Sequence, residues 1–365
     1  MKNLTLYNNC KLIKGYLRDV IIDLEREKYF FIPKGISSFL NNKIDLTKIS
    51  IAEKEIINEY TEFLTQNRLA FFPDDPFIRK VTLNNNLLVY SKISNCILWI
   101  NVNTNLELIK KIENKLDEYG CQALLLIFRP KIKFEFSKKI LESFYESKIR
   151  CIEIIAEYSD KHTEEEVEEL LACNSRIISF SFYHSSCNKI LYVGKYKQIL
   201  QRNLVDKLEN LLERSVLPPH LVINIPFYNE SVLHNPFYLK KLILDDEGNI
   251  YSNLSVKHIA GNILTQDVLE VINKSTFEFV NISKSKIDIC KHCEFKNICP
   301  DNRIPKKRID KTWYQQTECN YNPYIAKWNG EKGYKTLIEC GISCNEKGFK
   351  INKKKLNRIN VELWN

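Results

Sequence analysis

Apolar and polar positions follow one pattern up to about Asp75 and another beyond it. Leu17 to Leu24 and Tyr29 to Ile32 read as two strands around the charged turn Glu25, Arg26, Glu27, Lys28, and Pro33 ends the hairpin. A short helix at about Gly35 to Leu40 is expected next. A longer one starts at Ser50, where Ser50 and Glu53 make a capping box ahead of Ile56, Ile57, Tyr60, Phe63 and Leu64. Leu69 to Phe72 predicts a final short strand. Strands followed by helices over residues 1–75 suggest a winged-helix-like module, bounded by Pro73 and Pro76.

Beyond this boundary strands and helices alternate. Cys96 to Val102, Cys121 to Phe128, Cys151 to Tyr158, Arg176 to Tyr183 and Leu221 to Ile225 predict strands. Thr104 to Tyr119 predicts a helix with Leu108, Ile112, Leu116 and Tyr119 on one stripe and Gly120 at its end. Further helices are expected from near Ser137, from near Thr163 with Glu166 completing a capping box, and from near Lys195. The fold class is therefore α/β, with a parallel sheet over residues 86–240 that right-handed crossovers would curl into a partial (β/α) barrel.

Chemistry in such a fold belongs on the loops after the strands. Only Asn103 separates the first strand from its helix, and Arg129, Pro130, Lys131 after the second offer no glycine cradle for a phosphate. His184 and Cys187 after the fourth strand could form a base and nucleophile, but no orienting third group is placed by the sequence. His162, His220, His234 and His258 read as lone structural histidines. Tyr228, Asn229, Glu230 and the run His234 to Tyr238 form a polar and aromatic stretch, open to substrate contact or to plain packing. A hairpin follows, Lys240 to Leu244 with Asn249 to Tyr251, turning at Asp245, Asp246, Glu247, Gly248. A short helix near Asp267 to Asn273 leads into the cysteines.

Cys290 and Cys293 have two residues between them, Cys299 follows after five more, and Cys319 after a further nineteen. A Cys-x-x-Cys turn grips one centre with two thiolates, and the other two tie in distant segments. Zinc and a four-iron cluster both accept this set, and spacing does not separate them. The residues around the cysteines hold too little apolar content for a core of their own, so metal binding would supply folding energy. Cys340 and Cys344 have three residues between them, near enough for ligands or a redox pair, but no further partner is apparent.

Composition narrows the setting. Twelve cysteines, several scattered in expected core strands, suit a reduced cytosol better than a disulfide framework. No signal-peptide core and no membrane-length apolar run is present, so a soluble cytoplasmic protein without membrane partners is expected. The formal charge is +9. Lys306, Lys307, Arg308, Lys311 and Lys350, Lys353, Lys354, Lys355, Arg358 form basic runs, read as solvated faces because the aromatic and glycine interleaving of an RNA reader is missing.

From Leu242 through Asp246, Gly248, Ile250, Gly261, Asn262 and Ile263 to the four cysteines, the chain resembles a SPASM domain, the C-terminal cluster module of many radical SAM peptide-modifying enzymes. The continuation Glu318 to Trp328 is similar to the SPASM-domain peptide maturases of grasp-with-SPASM systems. This resemblance implies a C-terminal SPASM domain over 241–365 behind a radical SAM-like partial barrel, with one [4Fe–4S] cluster on Cys290, Cys293, Cys299 and Cys319. It also implies maturation of a ribosomally made precursor peptide beside an ATP-grasp ligase. The chain departs from the wider pattern: no Cys-x3-Cys-x2-Cys loop stands at Asn103, no cysteine lies near Tyr251 and Ser252, and Arg303 occupies a further expected cysteine position. SAM chemistry is therefore not expected. The first module resembles leader-peptide recognition elements, with Tyr29, Phe30, Phe31, Ile56, Tyr60 and Phe63 as candidate peptide contacts. The competing readings are an iron-sulfur redox enzyme acting on the peptide and a zinc-stapled nucleic-acid binder.

Overall fold

The computed structural model describes residues 4–40, 50–72, 92–129, 133–159, 164–193, 197–205, 207–208, 212, 216–254 and 256–364. The chain divides into two units, one made of Met1–Leu87, Ser215–Phe237 and Phe279–Asn365, the other of Leu88–Arg214 and Tyr238–Glu278. The expected boundaries at 73–76 and 86 lie outside the described residues, and the one at 240/241 falls within the second unit.

In the first unit a short strand β1 (Thr5–Leu6) precedes an antiparallel sheet of β2 (Cys10–Lys14), β3 (Arg18–Asp23) and β4 (Lys28–Pro33), with β3 in the middle. The expected short helix is a single 3₁₀ turn, Ile36–Ser38. Helix α1 (Ile51–Gln66) starts with the expected capping box of Ser50 and Glu53, and β5 (Ala70–Phe71) pairs with β1. Alternation along the strands feeds two cores. Cys10, Ile21 and Ile32 pack with Leu64 of α1 and Leu69. Ile13, Val20 and Ile22 face the other way, onto Phe295, Ile298, Tyr321, Ala326 and Trp328 of the cysteine-rich segment. The sheet is thus the middle layer of this unit, and its second face supplies the apolar surface that the cysteine segment lacks.

The second unit is mixed α/β. Its nine-stranded sheet runs in the order β10, β11, β9, β8, β7, β6, β12, β13, β14. In chain order these are β6 (Asn95–Asn101), β7 (Ala123–Arg129), β8 (Cys151–Glu157), β9 (Ile177–Tyr183), β10 (Lys189–Val193), β11 (Gln198–Arg202), β12 (Lys241–Leu244), β13 (Asn249–Tyr251) and β14 (Ile259–Asn262). The run from β11 through β9, β8, β7 and β6 to β12 is parallel throughout, while β10, β13 and β14 are added antiparallel. Helices α2 (Leu106–Glu118), α3 (Phe134–Ser143) and α4 (Glu164–Cys173) connect β6 to β9. Helix α2 buries Ile109, Ile112 and Leu116.

Two expectations are corrected. The helix expected from near Lys195 does not begin there: Lys189 to Val193 and Gln198 to Arg202 pair residue for residue as strands, β10 and β11, and the next helical residues among those described are Leu208 and Leu212. Leu221 to Ile225 is not a strand. Asn224 caps a helix, Ile225–Leu233, by accepting from the Phe227 amide at 2.9 Å, and Pro226 sits in its first turn, where its missing N–H costs nothing. Thr163, the expected cap of α4, lies outside the described residues. The hairpin Ile342–Asn345 with Gly348–Ile351 and the helix Lys353–Trp364 were not signalled by the sequence reading. That helix buries Leu356 and Ile359 and keeps Lys353, Lys354 and Arg358 on an exposed face. No helix among the described residues is long and apolar enough to cross a membrane.

Candidate metal centre and peptide-docking edge

The turn into the cysteine run passes through Ile289, whose φ of 69° is unusual for a β-branched side chain and costs about 1–3 kcal/mol. Hydrogen bonds around it hold the turn. Asp288 N donates to the Trp313 carbonyl and Lys291 N to the Ile287 carbonyl, both at 2.8 Å, and Cys293 N donates to the Cys290 carbonyl at 2.9 Å. Cys290, Cys293, Cys299 and Cys319 are free, half-buried thiols. Charge on one would be felt by the others: Cys290 is raised by Cys319, Cys293 by Cys299 and Cys319, and Cys299 by Cys319 and Cys290, each a smaller contribution than burial. Among the described residues no group of three or more His, Cys, Asp or Glu side chains is already closed around a point to hold a metal ion.

Burial pushes the Cys290 thiol up to about 11 and Cys299 to about 12, against the opposing pull of Lys284. Burial also raises Cys293 well above its ordinary value, with Glu294 adding to it. Neutral thiols have no reason to crowd together, so a metal would have to draw the sulfurs in and displace their protons. The surroundings suit the charge that would result. Lys284 is 2% exposed and lies 3.6 Å from Asp301, itself 3% exposed. Arg303 grips both Asp301 oxygens at 2.8 Å. Burial alone would raise the Asp301 carboxyl, yet Lys284 and Arg303 hold it well below the usual carboxylate range. Two cations against one carboxylate leave an excess of positive charge beside four prospective thiolates. The Phe295 amide also donates to Cys293 Sγ at 3.4 Å. The donor set therefore fits a four-thiolate centre in chemistry and charge.

Arg303, which stands at a position where the resemblance expects cysteine, is committed to Asp301. Cys340 is fully buried and accepts from Asn322 Nδ2 at 3.4 Å, while Cys344 accepts from Arg308 at 3.5 Å. Sequence reasoning missed Lys284, Glu294 and Asp301. The only signal available was their charge inside a segment that a metal would bury.

The six candidate peptide contacts divide. Strand β4 pairs with β3 on one side, and among the described residues no backbone bond covers its other side. Tyr29 and Phe31 point toward Phe295, at ring distances of 5.6 and 5.9 Å. Phe30 points the other way, 6.1 Å from Phe63 of α1. Tyr60 lines a small apolar pocket of about 20 Å³ with Leu4, Ile36, Phe39, Leu40, Ile57, Thr61 and Leu64. Ile56 is exposed on α1. The structure brings Phe30, Tyr60 and Phe63 together and leaves Ile56 outside.

In the second unit, the end of β6 is closed by hydrogen bonds. Asn101 Nδ2 donates to Asp246 Oδ1 at 3.0 Å, and the Thr104 hydroxyl bonds Asp246 and accepts from the Asn101 amide. His184 Nδ1 lies 3.3 Å from Glu157 Oε1, exposed, while the Cys187 amide turns to Ser185. Glu157 is thus an orienting group that the sequence did not place, but no bond joins His184 to Cys187. Tyr228 belongs to the helix Ile225–Leu233 and packs on the core with Phe295. His234 bonds Asn281 at 3.1 Å, and His220 accepts from the Leu217 amide.

No protein-family model matches the chain, and no curated protein matches it. Among solved structures, the crystal structure of Streptococcus suis SuiB bound to S-adenosylmethionine is similar over 81% of this chain and 94% of that chain, at 13% identity and a TM-score of 0.29. The crystal structure of Streptococcus suis SuiB bound to precursor peptide SuiA is similar over 82% and 95%, at 12% identity and a TM-score of 0.28.

Proposed function

We propose that the chain binds a ribosomally made precursor peptide and presents it to a partner ATP-grasp ligase, with one metal centre on Cys290, Cys293, Cys299 and Cys319. The observation that carries the reading is the edge of β4 that no strand covers among the described residues, together with an apolar pocket under α1 whose lining shares a core with Ile32 of β4. A peptide adding there as a strand gains main-chain hydrogen bonds along β4, and an apolar side chain finds the Tyr60 pocket. Residues 1–75 would be the recognition module, 86–240 the barrel-like body and 241–365 the cysteine-rich module. The motif resemblance favours one [4Fe–4S] cluster, with zinc as the alternative. When bound, the cluster supplies one-electron chemistry that zinc lacks. Lys284, Arg303 and the Phe295 amide would offset its negative charge.

The reading is tested with a fluorescent precursor peptide and the purified ligase. Binding that weakens in Tyr60→Ala and Phe63→Ala, with faster modification when the chain is present, supports it. Absence of binding, together with an unchanged ligase rate, overturns it.

A further inference from the structure

Four non-cysteine residues of the ligand run, His292, Glu294, Phe295 and Lys296, reach the N-terminal sheet or its β2–β3 turn, while Lys291 and Asn297 bond Asp288 and Ser231. His292, between Cys290 and Cys293, packs its ring 5.8 Å from Tyr16 and bonds Tyr324 at 2.7 Å, and Tyr324 in turn lies 4.7 Å from Tyr16. Glu294 receives the Arg18 guanidinium at 2.8 Å. Phe295 is 2% exposed and meets both Tyr29 and Phe31 of β4. Lys296 Nζ donates to the Lys14 carbonyl at 2.6 Å and to the Lys291 carbonyl at 3.1 Å. Arg18 also lies over the Phe31 ring, 3.4 Å from its centroid.

Among the described residues strand β4 has one lateral neighbour, β3, and one of its faces rests on Phe295, which sits between the cysteines at 293 and 299. We propose that the four-cysteine centre is the inner wall of the docking sheet: metal in the site orders β3 and β4, and loss of metal loosens the edge on which the peptide adds. The inference rests on the reading of the four cysteines as one metal site and gives that site a task separate from electron transfer. Linkage makes it reciprocal, so whatever stabilises the ordered β4 edge also tightens metal binding.

The experiment uses the full chain and metal alone. Amide hydrogen exchange is followed by mass spectrometry on protein reconstituted with iron and sulfide, or with zinc, and on chelator-stripped protein. The expected result is roughly tenfold faster exchange in 18–33 after stripping, with β6, β7 and β8 unchanged. A second variant, Phe295→Leu, keeps an apolar residue but removes the ring contacts. It should retain full metal content while 18–33 exchanges faster even when loaded. Metal binding with no change in 18–33 overturns the inference and leaves the metal site standing. Full metal retention in Cys319→Ala overturns both. Acceleration spread evenly over the whole chain also overturns it, since the effect would then be global.

Discussion

Arg18 Nε donates to Glu294 Oε1 at 2.8 Å across 276 positions of sequence, and this bond ties the middle strand of the N-terminal sheet to the residue after Cys293. Glu294 is fully buried and also accepts from the Tyr321 hydroxyl, whereas Arg18 keeps 23% of its side chain exposed. Removing the guanidinium leaves a buried carboxylate without its cation. Because Arg18 is partly solvated, Arg18→Met should cost roughly 2–4 kcal/mol rather than the full value of a sealed pair. Adding Glu294→Gln to it should recover at least half. Urea midpoints at unchanged slope measure both, and a single variant within about 0.5 kcal/mol of wild type would sink the claim.

Gly15 brings the β2–β3 turn against Glu294 of the ligand run. A Cβ there would stand 2.9 Å from Glu294 Cβ and would also strike the Arg18 carbonyl oxygen. Both neighbours are held, one as backbone and one by its ion pair, so neither can give way cheaply. Gly15→Ala should destabilise the first unit by about 1–3 kcal/mol. Gly35→Ala, whose added Cβ meets nothing within 4 Å, is the control and should change stability little.

Local signals were legible and long-range ones were not. The capping box at Ser50 and Glu53 is written within four residues, and β6 to β9 stand out as apolar runs. Strand β2 was missed because Cys10, Lys11, Leu12, Ile13, Lys14 mixes charge with a short apolar content. Leu221 to Ile225 looked like a strand because its apolar residues outvoted the helix start written in Asn224 and Pro226. The four cysteines were legible as a ligand set, yet nothing local says that Phe295 buries itself against Tyr29 and Phe31. Arg303 was noticed only as a missing ligand, although Asp301 two positions away already offered it a partner.

Lys241 supplies a pH test in the second unit. Burial lowers its ammonium from the ordinary 10.5 to about 8, with Glu153 opposing. A depressed lysine penalises the fold most below pH 8, where the buried group is charged, and the penalty fades as pH rises to about 10.5. Relative to wild type, Lys241→Met should therefore be more stable at pH 7 than at pH 10.5. The difference should shift against the variant through pH 8 to 10 and level off above it. Denaturation series at several pH values read this directly, and a difference independent of pH would refute the burial argument.

The metal centre is tested by composition. Cys290 and Cys299 are held neutral by burial in the metal-free chain, so loading must release their protons, and metal uptake should weaken as pH falls. Protein prepared without oxygen should carry about four irons with matching sulfide and charge-transfer absorbance if a cluster is present. One zinc and no colour would instead mark a structural staple. Either content should fall sharply in Cys319→Ala, because its thiol is the one donor contributed from outside the 290–299 run. Lys284→Met separates the ligands from their surroundings. It leaves all four sulfurs but removes a buried cation beside Asp301, so metal should still bind, more weakly and with a steeper dependence on pH. Undiminished metal content in Cys319→Ala would show that the four cysteines do not act as one set.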